Sequence, residues 1–309
     1  MDESLADINA APLDGAFHLL NPAPRLRTLF ELAREEDLNR AGDVTTSSLL
    51  LPDSIVAASV IARQPGTICG WAAAPALIEA YGSSATIDPL VRDGQCVERG
   101  EAAGTLRGPL PEVLAIERPL LNLLAHLSGI ATLARRYVQA VSGTSARIFD
   151  TRKTTPGWRG LEKYAVRCGG GFCHRLGLYD AILVKDNHLA QVNNAEHTAW
   201  LSERLAPARA EHALRFIEVE VDSLDQLRAV LRCPPGIIDI ILLDNMSPVD
   251  MIEAVKRRDD ANPEIELEAS GGVTLEAIAR VAETGVDRIA VGALTHSAAH
   301  LDLGLDFVP

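Results

Sequence analysis

From residue 147 onward the chain repeats one local pattern six times: a short apolar run of β type that stops at a charged or phosphate-friendly group. Arg147-Ile148-Phe149 runs into Asp150-Thr151-Arg152-Lys153, and Ala181 to Val184 stops at Lys185-Asp186-Asn187-His188. Phe216 to Val219 stops at Glu220, and Ile238 to Leu243 at Asp244-Asn245. Ile265 to Leu267 stops at Glu268-Ala269-Ser270-Gly271-Gly272, and Ile289 to Val291 at Gly292. Helix-like segments lie between the runs. One polar strand tip means little, but a series of them is how a β/α barrel gathers a site at the C-terminal mouth of its strands.

The first half reads differently. Residues 1–25 look irregular, with Pro12, Pro22 and Pro24. Leu26 to Glu36 has helical spacing, Asp37 to Asp53 reads as polar and turn-rich, Ile55 to Arg63 as a strand, and Gly70 to Tyr81 as a helix. Short strands and turns follow, including Asp93-Gly94 and Arg99-Gly100. From Pro111 to Val141, Leu114, Leu120, Leu121, Leu124, Leu127 and Ile130 keep a helical period. Pro119 sits inside that run, which predicts two helices meeting there, or a kink. The expected organisation is a first domain over 1–120, with 298–309 returning to it, and a barrel over 121–297.

Length and composition bound the rest. A chain of 309 residues with 47% hydrophobic content fits about two domains with ample core. A net charge of −13 argues against nucleic acid or an anionic membrane as the main partner. No apolar run approaches membrane-spanning length, because the Leu-rich stretch near residue 120 is broken by Glu117, Arg118 and His126. Asp2, Glu3 and Asp7 do not make a signal peptide, and five cysteines without zinc spacing read as free thiols in a reducing cytoplasm.

An acidic chain that clusters cations has an anion to bind. Arg152, Lys153, His174, Arg175 and Lys185 fall within about one βαβ unit of each other. Arginine offers a planar fork to a carboxylate or phosphate, and lysine a point charge. Glu220 and Asp244 end successive strands and suit a hard cation such as Mg²⁺, or pair with the nearby cations; both readings stand. Glu218 faces the same side of its strand as Glu220, and Glu268 is a further candidate. Ser270-Gly271-Gly272 precedes a helical run starting near Thr274, and Gly292 ends the next strand; both are candidate phosphate sites.

These residues are similar to a known family. Asp150 to Gly157, Glu162-Lys163-Tyr164-Ala165-Val166, Gly169-Gly170-Gly171, His174-Arg175 and Lys185-Asp186-Asn187-His188 resemble quinolinate phosphoribosyltransferase. So do Glu117-Arg118 with Ser128-Gly129-Ile130-Ala131-Thr132, Leu243-Asp244-Asn245, Glu268 to Gly272, and Val291 to Ser297. The resemblance runs from about residue 27 to 308. It implies an N-terminal open α/β sandwich and an incomplete, seven-stranded-type α/β barrel. It also implies a homodimer, or a hexamer, in which Arg118 reaches the neighbouring site.

The resemblance further implies transfer of phosphoribosyl from 5-phosphoribosyl 1-diphosphate to quinolinate, with loss of CO₂ and with Mg²⁺ as cofactor. The substrate-binding set is Arg118, Thr151, Arg152, Lys153, His174, Arg175, Lys185, Glu220, Asp244, Ser270, Gly271, Gly272 and Gly292. Lys153, Lys185, Glu220 and Asp244 are the catalytic candidates, and Glu220 and Asp244 the metal candidates. Departures from the pattern are Pro119 after the trans arginine, Cys173 before His174-Arg175, and longer turns at Asn39 to Asp43 and Cys233 to Gly236. Three other readings compete: a related phosphoribosyltransferase for another aromatic acid, a silent ligand-sensing barrel, and a metal-dependent aldolase or decarboxylase.

Overall fold

The computed structural model describes residues 7–49, 54–189, 192 and 197–307. The chain divides into two compact units. One holds Ile8–Arg135, Thr154–Gly170 and the segment from Leu294 onward; the other holds Arg136–Lys153 and Gly171–Ala293.

The first unit opens with three helices, α1 (Leu13–Leu20), α2 (Ala23–Leu38) and α3 (Val44–Leu49). The expected irregular start is therefore helical. Pro12 and Pro22 are the N-cap residues of α1 and α2, and Pro24 lies in the first turn of α2. A proline there loses no helical hydrogen bond, because that N–H would have had no partner anyway. Strands β1 (Ile55–Ala62) and β2 (Gly66–Thr67), helix α4 (Ala74–Ala80), and strands β3 (Thr86–Pro89), β4 (Cys96–Val97) and β5 (Ala102–Pro109) follow.

Helix α5 (Leu110–Ala140) is one continuous helix of 31 residues with Pro119 inside it. Two helices meeting at Pro119 do not occur. An interior proline costs about 3 kcal/mol, but Val113, Ile116, Leu120, Leu121, Leu123, Leu124, Leu127 and Ile130 are all buried along the helix. Each such side chain contributes about 1.5–3 kcal/mol by leaving water, so packing outweighs the lost bond. Length and composition alone would let α5 cross a membrane, which corrects the expectation that no such run exists; 56% of its apolar 18-residue stretch is buried inside the protein.

The remaining elements, in chain order, begin with β6 (Arg147–Phe149), α6 (Arg159–Cys168), β7 (Ile182–Val184), α7 (Asp186–Leu189) and α8 (His197–Glu211). Then come β8 (Ile217–Val221), α9 (Leu224–Val230), β9 (Ile240–Asp244), α10 (Pro248–Ala261), β10 (Glu266–Ser270), α11 (Ile278–Ala282), β11 (Arg288–Ala290), α12 (Ala293–His296) and β12 (Leu303–Phe307). The last strand pairs antiparallel with β1, giving a sheet of order β12-β1-β5-β3. Gly129 makes room for the chain on its way there: a Cβ at that position would sit 2.1 Å from the Ala299 carbonyl oxygen. Helix α6 packs on α1 through an edge-on Phe17–Tyr164 contact, with ring centres 5.0 Å apart.

All six runs of the second half are strands. They form one parallel sheet of order β6-β11-β10-β9-β8-β7. Its two end strands are bridged by residues 172–175. Phe172 makes an isolated parallel bridge to Phe149, and the His174 N–H donates to Asp150 Oδ1 at 2.9 Å. On the other side Arg175 Nη1 donates to the Ala181 carbonyl at 3.4 Å, and Arg215 Nη1 to the His174 carbonyl at 3.2 Å. The result is a mixed α/β fold whose parallel half is an incomplete barrel.

Candidate active site

Strand register fixes which side chains share a face. Glu220, Leu242, Glu268, Arg288 and Arg147 are in-register partners across β8, β9, β10, β11 and β6. Two residues further along, Asp244, Ser270, Ala290 and Phe149 form the next row. Because side chains alternate with period two, both rows face the same way. The upper row ends at the strand tips, where the candidate site begins.

Lys185 is held at this rim by a glutamate. Its Nζ donates to Glu220 Oε2 at 2.6 Å, and its side chain is 46% exposed against 11% for Glu220. Its backbone N–H donates to His188 Nδ1 at 2.8 Å, and its carbonyl accepts from the His188 N–H at 2.8 Å. The Lys-Asp-Asn-His sequence is therefore a self-bracing turn that opens α7.

The end of β6 is held in a comparable way. Asp150 is fully buried, and Thr151 Oγ1 accepts from the Lys153 N–H at 3.0 Å, which turns Lys153 outward. Arg152 is half-buried near Arg175. Burial, and then the charge of Arg152, pull the Arg175 guanidinium below its ordinary pKa. Two guanidiniums kept together against that cost make a seat for an anion.

The acids and glycines complete the rim. Asp244 is half-buried and accepts from Asn245 Nδ2 at 2.7 Å. Asn245 sits at φ 54° with its N–H donated to the Ser270 carbonyl at 2.9 Å. Gly271 lies directly against it: at φ 102°, a Cβ would fall 2.2 Å from Asn245 Oδ1. A Cβ on Gly272, at φ 58°, would meet nothing within 4 Å, so this backbone is open to an incoming group. The helix expected from Thr274 begins as a turn there, and regular α11 starts at Ile278. The glycine turn is thus not the N-terminus of a long helix; the free space at Gly272 is what it offers an anion. Gly292 is half-buried immediately before α12.

His174 is not at the rim. It is 5% exposed, and its Nε2 lies 2.9 Å from Glu218 Oε2 and 3.3 Å from Glu268 Oε1. Arg288 Nε in turn donates to Glu268 Oε2 at 2.7 Å, and its guanidinium stacks 3.8 Å from the centre of the Phe149 ring. Arg147 pairs with Glu266, which also takes Arg288. Burial alone would lower the His174 pKa, but Glu268 and Glu218 outweigh it and raise it to about 9. The Arg175 N–H, 2.8 Å from Nδ1, is accepted only by the neutral ring with its proton on Nε2, so this contact opposes the charge that the two carboxylates favour. Burial pushes Glu268 up, but His174 and Arg288 hold it down at about 2; Glu218, buried beside Glu268, is raised.

Sequence reasoning noted Glu218 and Glu268 but not their partner Arg288, which at the start of a strand reads as an ordinary solvated charge. Arg118 lies on α5 in the other unit and is exposed. Glu220 and Asp244 come from neighbouring strands and face the same way, which fits a Mg²⁺ held by one or two carboxylates and chiefly by a substrate's phosphates. Among the described residues, the group with three possible ligands within 4.8 Å of one another is His174, Glu218 and Glu268. Arg288 already neutralises that group.

Residues 43–128 match the quinolinate phosphoribosyl transferase N-terminal domain, and residues 130–306 its C-terminal domain. The chain is 44% identical over 282 residues to the nicotinate-nucleotide pyrophosphorylase [carboxylating] of Mycobacterium leprae, covering 91% of this chain and 96% of that one. It is similar to the solved nicotinate-nucleotide pyrophosphorylase from Francisella tularensis, with a TM-score of 0.82 and 33% identity over 99% of this chain and 100% of that one. The corresponding structure from Ehrlichia chaffeensis has a TM-score of 0.76 and 35% identity, over 91% and 98% of the two chains. The chain belongs to the quinolinate phosphoribosyltransferase family.

Proposed function

We propose that this enzyme transfers the phosphoribosyl group of 5-phosphoribosyl 1-diphosphate to quinolinate with decarboxylation, giving nicotinate mononucleotide, CO₂ and diphosphate for NAD biosynthesis. The observation that carries the reading is the rim itself: Lys185 locked to Glu220, with Asp244 on the same face and the open Gly272 in the turn that follows Ser270, in a chain matched by the family over both domains.

The chemistry follows from the charges. Arg152, Lys153 and Arg175 hold the two carboxylates of the pyridine, so that its ring nitrogen meets the sugar C1. The C1–N bond forms as the C1–O bond to diphosphate breaks, through a cationic sugar. Glu220 and Asp244 stabilise that charge and hold the ribose hydroxyls. Ser270, Gly271, Gly272 and Gly292 receive the phosphate end. Mg²⁺, when bound, supplies positive charge to the departing diphosphate. The quaternised ring then accepts the electrons left by the 2-carboxylate as CO₂ departs, and the carbon is protonated beside Lys153 or Lys185.

Arg118 would reach the neighbouring subunit's site in a homodimer, or within a hexamer built from such pairs. Five free cysteines fit a reducing compartment such as the cytoplasm. Incubation with phosphoribosyl diphosphate and each of a panel of aromatic acids tests the reaction. Diphosphate should appear with quinolinate and not with nicotinate. Release with another acid and none with quinolinate would reassign the substrate, and activity without phosphoribosyl diphosphate would reassign the reaction.

A further inference from the structure

A parallel barrel normally fills its interior with branched apolar side chains. This one instead buries Glu218, Glu268, His174 and Arg288, each at most 5% exposed, beneath the rim. Burying that many ionisable groups is weak as a stability device, since apolar replacements of similar volume often serve as well. Glu218 Oε1 even lacks a hydrogen-bond partner among the described residues. The layer therefore calls for a functional explanation, and its connections supply one.

The polar contacts of His174 converge on the backbone that carries Arg175, and Phe216 packs edge-on against the ring. Nε2 is clamped between Glu218 of β8 and Glu268 of β10, and Nδ1 receives the Arg175 N–H. The His174 N–H is fixed by Asp150, directly before the Thr151-Arg152-Lys153 turn, and its carbonyl by Arg215. Glu268 is itself held by Arg288, which Phe149 backs. The ring is a strut between the sheet interior and the backbone that carries Arg175, whose guanidinium stands near that of Arg152.

We propose that Glu218 and Glu268 are positioning residues: by clamping His174 they set the Arg175 backbone and so aim the Arg152/Arg175 pair at the carboxylates of the pyridine substrate. The inference rests on the reaction proposed above. Neither glutamate touches substrate; each acts through His174.

The test compares Glu218→Gln and Glu268→Gln with wild type in steady-state kinetics, varying quinolinate and phosphoribosyl diphosphate in turn, with calorimetric titration of quinolinate alone as the second readout. We expect the KM for quinolinate to rise about tenfold or more and that for phosphoribosyl diphosphate to stay within about twofold, since a small misplacement of a positioned group is costly only to the ligand it grips. Where Glu268→Gln does not fold, Glu218→Gln decides, because it leaves the Arg288–Glu268 contact in place. A folded variant with an unchanged KM and affinity for quinolinate overturns the proposal, as does an equal rise in both KM values. Wild-type enzyme that binds no quinolinate overturns the reaction itself, and this proposal with it.

Discussion

A lysine at a strand end has no fixed direction of its own; four rotatable bonds must be restrained before it can serve as a point charge. For Lys185 the restraints are Glu220 on the side chain and His188 on the backbone. Glu220→Gln should therefore lower turnover twice over, by weakening the stabilisation of the cationic sugar and by releasing Lys185. Arginine at position 152 can bond through a flat fork, and charge-assisted hydrogen bonds of this kind are each worth about 1.5–3 kcal/mol. Arg152→Ala should lower kcat/KM for quinolinate by roughly tenfold to a hundredfold or more, measured by initial rates at low quinolinate. Near-normal kinetics in a folded variant would remove Arg152 from the pocket.

At the scale of elements, close approaches decide which residues are replaceable. Gly271→Ala places a methyl against Asn245 and forces a left-handed backbone on a residue with a Cβ. The backbone term alone costs about 1–2 kcal/mol. The expected outcome is a lower unfolding midpoint and a raised KM for phosphoribosyl diphosphate. Gly129→Ala should instead lower the midpoint by pushing the chain near Ala299 off α5 and loosening β12, with the KM for quinolinate little changed. Differential scanning calorimetry with kinetics on each variant separates the two.

The same scale shows what sequence reading reaches. All six strands of the parallel sheet were legible, because strands buried on both faces are short apolar runs with abrupt ends. The first helices were not, since prolines read as breakers wherever they occur, and only the structure shows Pro12 and Pro22 at N-caps. Pro119 deceived in the same direction, because its cost is local while the gain from burying one face of α5 is spread over many residues. The rim residues were legible one by one, but the His174–Glu268–Arg288 layer was not. Its members lie on three separate stretches of chain, and charge at a strand start gives no hint of burial.

For the molecule as a whole, charge is the governing quantity. A chain of net charge −13 places many of its cations in surface ion pairs but also buries one charged layer, and the shifted groups of that layer contribute to its response to pH. The Glu268 carboxylate has an ordinary value of 4.5 and is held at about 2 in the fold. A group depressed in this way stabilises the fold above its unfolded value and stops doing so as pH falls through the folded one. Thermal midpoints should therefore fall between about pH 4.5 and 2 more steeply for wild type than for Glu268→Gln. Chelation of divalent cations should suppress turnover with quinolinate, and restoring Mg²⁺ should recover it, if Glu220 and Asp244 help hold the ion with the substrate's diphosphate.

The most direct test follows both leaving groups at once. Quinolinate labelled in its 2-carboxylate is incubated with phosphoribosyl diphosphate and Mg²⁺, and labelled CO₂ and diphosphate are counted against each other. Equal amounts of the two are expected, both falling together in Arg152→Ala. Diphosphate without labelled CO₂, or CO₂ released when phosphoribosyl diphosphate is left out, would contradict the proposed reaction.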